Sequence, residues 1–350
     1  MHALLAPAIK FALKKARQNK YIQHLFEAPI EENKFPSMGN FTDSFGNTMT
    51  AREGIRRKIR PFWESTDARY PWEDLKYRQK KKEEALIATE KLLDMLRGRG
   101  RTIEGSAVVE VGCDTGAATF AYAYFGAKEV LGLDFPAYRS DSEALNATDE
   151  ARIRDIQQYQ ETLREKVGSL YSHHAKVSFV DDDICSSRIS DACADYLFSS
   201  QVLEHLWDLE SAFSHMYRAL KPGGYMVHEY NPFFCLNGGH GICTLDFLWG
   251  HTRLSEKDFI RYYEAFHPKE LEEALAFFRH GINRVTIQQV EMMMRKCGFE
   301  DISLVPMCKE QHMRMVDSEI LNQTRHLYPE AGLLDLCTPR VFVIAGKPKP

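Results

Sequence analysis

The sequence predicts an α/β protein: a doubly wound, mainly parallel seven-stranded sheet with a helical N-terminal extension and an inserted lid. Three observations carry this. From residue 106 onward, short apolar, β-branched runs alternate with helical patterns. The first of those runs empties into a glycine-bearing turn that opens a helix. The fifth is followed by 54 residues, Asn231 to Arg284, too many for a plain connection.

The elements follow in order. Residues 1–100 are charged, rich in helix formers and without strand-like runs, and read as the helical extension; residues 101–350 form the second unit. The first 26 residues place Lys10, Lys14, Lys15, Arg17 and Lys20 among Leu4, Leu5, Ile9, Phe11 and Leu13, with no acid before Glu27. They read as an amphipathic helix lying on the fold or a partner, with an organelle transit peptide as the other reading. Phe62-Trp63-Glu64 and Tyr70-Pro71-Trp72 cluster aromatics in a loop. Glu73 to Arg97 reads as one helix, with Leu86, Leu92, Leu93 and Leu96 in its apolar stripe.

Strands are expected at Ala107–Val111, Val130–Leu133, Val177–Val180, Tyr196–Phe198, Tyr225–Val227, Ile302–Val305 and Val341–Ala345. The fifth follows the breaker Lys221-Pro222-Gly223-Gly224. Leu206, Leu209, Phe213, Met216 and Leu220 recur at helical spacing. Thr286 and Gln289 form a capping box for a helix that Gly298 closes. In such sheets ligands bind outside the carboxyl ends of the strands, at the switch point.

Composition narrows the class. The 350 residues are 44% hydrophobic and 27% charged, with net charge −4, which suits a globular enzyme and argues against a nucleic-acid partner. No run approaches a membrane span. The eight cysteines form no CxxC pair and no disulfide framework, so a reducing, cytoplasmic setting is expected.

The informative run is Val108-Val109-Glu110-Val111-Gly112-Cys113-Asp114-Thr115-Gly116, followed by a helical Ala117 to Tyr124. Glycines there let the backbone turn tightly and approach a ligand. Asp134 ends the second strand, where a carboxylate can accept both hydroxyls of a ribose. Asp181, Asp182 and Asp183 end the third, where an adenine amino group needs an acceptor. A dinucleotide oxidoreductase would need G-x-G-x-x-G, and no third glycine falls in register.

Together these residues resemble the class I S-adenosylmethionine-dependent methyltransferases, in their small-molecule branch. The likeness covers roughly residues 100–230, with weaker support from 284 to 350. It adds Ser199 to Leu206 after the fourth strand and Leu220-Lys221-Pro222-Gly223-Gly224 before the fifth. The resemblance implies S-adenosyl-L-methionine as cofactor in a Rossmann-like methyltransferase fold. By the same resemblance Glu110, Gly112, Cys113 and Gly116 form its loop, and Asp134 with Phe135 its ribose site. Asp182, Asp183 and Ile184 then hold the adenine, with Ser200 and Gln201 alongside. Asp114 departs from the family, which usually has glycine there; aspartate tolerates left-handed backbone angles better than most residues.

Methyl transfer is an in-line displacement onto an O, N or S atom. A hydroxyl or protonated amine must lose a proton, whereas a thioether needs no base. His205, past the fourth strand, and His228, ending the fifth, are the candidate bases. The long insertion at 231–284 reads as a substrate lid, with Tyr230, His240, Trp249, His251 and Arg253 toward the acceptor. Arg253 or Arg261 would hold an acceptor carboxylate or phosphate, and Pro268 opens a helix carrying Leu271, Leu275 and Phe278 on one face. His240, His251, Cys235 and Cys243 match no zinc spacing, so no metal is expected. The polar stretch 136–176, with Gln157, Gln158, Glu161, Arg164 and Lys166, reads as a solvated face and is compatible with a homodimer. A protein substrate, or a module that binds the cofactor without catalysis, are the other readings.

Overall fold

The computed structural model describes residues 28–60, 72–135 and 150–349. The basic segment 1–26, the aromatic clusters other than Trp72, and the polar stretch through residue 149 lie outside the described residues.

The described chain opens on a hairpin, β1 (Ser37–Thr42) and β2 (Thr48–Arg52), then α1 (Ile55–Ile59) and the long α2 (Leu75–Arg97). There follow β3 (Ala107–Val111), α3 (Ala117–Tyr124), β4 (Glu129–Asp134), α4 (Glu150–Gly168), β5 (Lys176–Asp181), β6 (Ala194–Ser200), α5 (Leu209–Ala219) and β7 (Leu220–Tyr230). The insertion holds α6 (Gly250–Arg253), α7 (Glu256–Phe266) and α8 (Leu271–Ala276). Then come α9 (Ile287–Lys296), β8 (Glu300–Pro306), α10 (Glu310–Met315), α11 (Ser318–Leu327), α12 (Leu333–Cys337) and β9 (Val341–Gly346).

The large sheet has the order β5-β4-β3-β6-β7-β9-β8. Its pairs are parallel except those made by β9. β3 is buried along its whole length because its valines alternate between two apolar layers. Val109 and Val111 face one layer, with Leu209, Phe213 and Met216 of α5. Val108 faces the other, with Leu92, Leu93 and Leu96 of α2. Each fully buried side chain of this size stabilises the fold by ~1.5–3 kcal/mol. The chain turns back between β3 and β6, so the crevice for a ligand opens at their carboxyl ends. Among the described residues no helix is long and apolar enough to cross a membrane.

Two expectations need correction. The N-terminal extension is not wholly helical. The Asp43 carboxylate accepts from Phe45 N and Asn47 N at 2.9 and 2.8 Å and folds the turn of the β1–β2 hairpin. Phe41, Met49 and Ala51 alternate inward, in strands too short and too rich in Asn, Gly and Met to stand out. Lys221-Pro222-Gly223-Gly224 does not precede β7 but begins it, with the register shifting opposite Ala194 to Tyr196.

The insertion is a packed block. Phe233, Phe234, Phe247, Phe259, Tyr262, Tyr263, Phe277 and Phe278 share one core with the hairpin. A polar chain threads it: Tyr262 donates to Asp246, and His267 Nε2 lies 2.5 Å from the same carboxylate. His267 Nδ1 is 3.6 Å from Glu270, which takes Arg56 of α1 at 2.6 Å. The expected helix after Pro268 is short, and a π-turn over Phe277–Gly281 shifts its face to Ala274, Phe277 and Phe278, leaving Leu275 half-buried.

Candidate active site

The loop after β3 is built by backbone geometry. Gly112 and Gly116 stand at φ +73° and +77°, and Asp114 at φ +41°, the left-handed conformation its residue type tolerates. A Cβ on Gly112 would meet Val202 Cγ2 at 2.3 Å, so the glycine also lets β6 approach. Gly112 N donates to Leu133 O at 2.7 Å, tying the loop to the end of β4. Beneath it Glu110 is buried and accepts from Thr119 of α3; burial pushes its carboxyl up to about 8.

Asp134 ends β4 directly opposite Asp181 of β5. Its Oδ1 accepts from Phe135 N at 3.0 Å. Its Oδ2 takes Gln160 Nε2 at 3.1 Å and Arg164 Nη2 at 3.5 Å. Burial, then the neighbouring Asp114, raise this carboxyl to about 6. Gln160 and Arg164 come from α4, which the sequence reading treats as a solvated face. Both are buried, with Arg164 donating to Asp114 O at 2.9 Å, touching Cys113 Sγ at 3.6 Å and lying over the Phe179 ring. Of the face read as solvated, Gln158 and Glu161 are exposed and Arg164 is the exception, turned in by the Asp114 carbonyl and the Asp134 carboxylate.

Asp183 stands after β5, its Oδ1 accepting from Cys185 N at 2.9 Å and its Oδ2 from Trp207 Nε1 at 2.9 Å. Trp207 is 67% exposed, a large apolar face at the rim that sequence reading missed. Asp182 is committed to its own turn, through Ser187 Oγ at 2.6 Å and Arg188 N at 3.1 Å. Ile184 is buried, Phe135 exposed, and Ser200 and Gln201 cap β6, Gln201 at φ +57° with its N–H on Glu229 O. The set fits S-adenosylmethionine. The glycine loop lets a ligand approach the backbone, and Asp134 and Asp183 set carboxylates at the end of β4 and just past β5.

The turn after β6, Leu203–His205, is clamped by the end of the insertion. Asn283 Nδ2 donates to Leu203 O and Leu206 O at 2.7 and 3.1 Å, and Asn283 N to Glu204 O at 2.8 Å. His205 Nδ1 donates to Gly281 O at 2.7 Å. The His205 and His240 rings lie 4.8 Å apart, with Phe277 against both. Glu204, 2% exposed, accepts from Asn231 N at 3.1 Å. Burial raises Glu204 to about 8 and lowers both histidines, His240 well below its ordinary value. The Tyr230 hydroxyl is buried with no hydrogen-bond partner among the described residues, within electrostatic reach of Asp335 and Glu204.

Other predicted residues lie elsewhere. His228 is fully buried in the sheet, its Nδ1 2.7 Å from Ser199 Oγ, and burial lowers it to about 3. A neutral ring held inside the sheet is not presented to an acceptor. Trp249 packs among Ile55, Leu236 and Leu336 and donates to Leu336 O at 3.2 Å. His251 Nε2 donates to Phe233 O at 2.8 Å. Arg253 is held by Gln323, Leu248 O and Glu319 at 2.6, 3.0 and 3.3 Å, and Arg261 by Asp258 at 2.7 Å. Trp249, His251 and Arg253 give donors to backbone carbonyls and Arg261 pairs with a carboxylate, so all four are committed to holding the insertion in place.

A parallel sheet in this order, a glycine turn after its central strand and acids ending the next two define the class of S-adenosylmethionine-dependent methyltransferases. The chain belongs to the family described as "Methyltransferase domain", which matches residues 77–304. Among solved structures, Haemonchus contortus phosphoethanolamine N-methyltransferase 2 is 21% identical over 74% of this chain and 53% of its own, with TM-score 0.43. The match therefore spans about half that protein's length. An S-adenosylmethionine-dependent methyltransferase from Mesorhizobium loti is 16% identical over 72% of this chain and 96% of its own, with TM-score 0.41. No curated protein matches the chain.

Proposed function

We propose that the protein transfers the methyl group of S-adenosylmethionine to a small-molecule acceptor held between the end of β6 and the insertion. One observation supports this above the rest: residues 204, 205 and 240 converge there, under aromatic side chains of the insertion. When bound, the cofactor supplies an electrophilic methyl on a sulfonium. The glycine loop and Asp134 fix its ribose, and Asp183 its adenine. Positioning of this kind contributes roughly 7–11 kcal/mol in favourable cases. His205 is the residue placed to take an acceptor proton. Gly281 O can only accept, so Nδ1 carries the hydrogen and Nε2 the lone pair. A buried carboxyl beside two neutral imidazoles suits an acceptor that sheds a proton, a hydroxyl or protonated amine, better than a thioether. The net charge of −4 speaks against nucleic acid as substrate.

The test is S-adenosylhomocysteine release across phenols, alcohols, amines and thiols, with wild type and His205→Ala. Turnover of a hydroxyl or amine, lost by about 10²–10⁴-fold in the variant, is the expected result. Turnover with protein substrates alone would overturn the acceptor class.

A further inference from the structure

We propose that Glu204, His205 and His240 form a site for a divalent cation of the first transition row, manganese to zinc, whose open positions take an oxygen of the acceptor. The inference rests on the acceptor site argued above and changes one role in it.

One ligand atom from each of the three residues lies within 4.8 Å of the others. Bonds of about 2.0–2.2 Å to nitrogen and oxygen place neighbouring ligands some 3–3.5 Å apart, so the widest separation has to close by about 1.5 Å. Two of its atoms are short of partners. Among the described residues, Glu204 Oε2 and His240 Nε2 are buried without a hydrogen bond. Native structures rarely leave such atoms bare without a reason, and an ion is one.

The surroundings orient the ligands. Asn231 N holds Glu204 Oε1 at 3.1 Å, which leaves the other oxygen for the cluster. Gly281 O accepts from His205 Nδ1 at 2.7 Å and so turns the Nε2 lone pair away from the backbone. A ligand histidine almost always has its second nitrogen engaged in this way. His240 is fixed from behind, at φ +51° with its carbonyl taken by Thr244 Oγ1. The cysteines named beside His240 in the sequence do not join it: Cys235 faces Pro232 O and Cys243 faces Ala274 O. Sequence spacing suggests no metal because the cluster unites a turn after β6 with a loop 35 residues on.

Two imidazoles and one carboxylate suit a borderline cation and leave positions open for a further oxygen ligand. An acceptor hydroxyl bound there loses its proton to solvent more readily. Its oxygen then forms the new bond to the methyl carbon as the carbon–sulfur bond breaks. The products are a methyl ether, S-adenosylhomocysteine and the proton already released, so no oxidant or reductant is needed. His205 acts here as a ligand and not as the proton carrier, and the acceptor atom is oxygen.

The probe is Mn²⁺, titrated into chelator-treated protein and followed by electron paramagnetic resonance, with Zn²⁺ as competitor. Wild type is expected to bind one Mn²⁺ per chain, displaced by Zn²⁺. Glu204→Gln and His240→Ala should each weaken binding by at least about tenfold while still binding S-adenosylhomocysteine. Absence of Mn²⁺ and Zn²⁺ binding in wild type, or binding that survives both substitutions, would overturn the site. Full methyl transfer in excess chelator would also overturn it, and would leave the methyltransferase reading standing. Loss of S-adenosylhomocysteine binding by wild type would instead strike that reading alone.

Discussion

Replacing Asp134 by Asn isolates the charge proposed to hold the ribose. Its carboxylate takes Gln160 and Arg164 on Oδ2 and Phe135 N on Oδ1, with the Asp114 backbone N–H a further donor, so a ribose hydroxyl would join a carboxylate already held in place. A charge-assisted bond there is worth about 1.5–3 kcal/mol, which corresponds to roughly 10–150-fold in affinity. The asparagine keeps the shape but sets an amide or a neutral oxygen against Arg164. That arginine keeps Asp114 O and the Phe179 ring, so the variant should fold. A pH series adds an independent check. The free carboxyl sits at about 6, so only above pH 6 is it ionised and fully able to accept. Wild-type affinity for S-adenosylhomocysteine, measured by calorimetry, should be flat above pH 6 and fall up to about tenfold per unit below it. The variant should be weaker at neutrality and indifferent to pH. Equal affinities, or parallel pH curves, would mean that the ribose does not use Asp134.

Further tests bear on other parts of the molecule. Gly112→Ala adds a Cβ 2.3 Å from Val202 at φ +73°, and should lower stability by about 1–3 kcal/mol in thermal melts, with partial recovery in a Val202→Ala background. Glu110, raised to about 8 from 4.5, favours the folded state while protonated; that contribution is complete below pH 4.5 and is lost as pH rises through 8. Glu110→Gln should therefore gain on wild type in melting temperature between pH 5 and 9, and a constant gap would refute the assignment. Trp207→Phe removes the 2.9 Å bond to Asp183 and most of the exposed indole, so cofactor affinity should drop several-fold and the ligand-induced change in tryptophan fluorescence should shrink. His267→Ala breaks the chain from Asp246 to Glu270 and should cost about 1–3 kcal/mol in chemical denaturation, with S-adenosylhomocysteine affinity unmoved.

The cofactor half of the molecule was legible because it is local. All seven strands of the large sheet, the helix at 117–124 and the capping box at Thr286 were read from runs of fewer than a dozen residues. Asp114 at φ +41° follows from one residue's tolerance of that region. The rest depends on contacts between distant segments. Arg164 and Gln160 reach Asp134 across 30 and 26 residues, and nothing in the polar face of α4 marks them. Trp249, His251 and Arg253 looked like ligand groups because aromatic and basic residues cluster there. Packing used them instead to satisfy carbonyls in an irregular block. The hairpin was lost because the lid core, and not local propensity, makes it a pair of strands.

The half proposed to take the acceptor is therefore an assembly of segments, and this bears on where specificity would reside. The hairpin at 37–52 and the helices at 310–337 lie outside the family match at 77–304, yet they pack on the insertion that holds His240. Arg56 of α1 completes the polar chain through Glu270 and His267 to Asp246. An insertion fastened this way is not a loose flap. It fixes His240 and Gly281 against the His205 turn before any acceptor arrives, and Asn283 locks that turn from the same side. Pre-organisation of this kind lowers the ordering cost of binding the acceptor. On the proposed reading it also divides the labour along the chain: substitutions at the strand ends would act on the cofactor, while those in the hairpin, the insertion and the last helices would act on the acceptor.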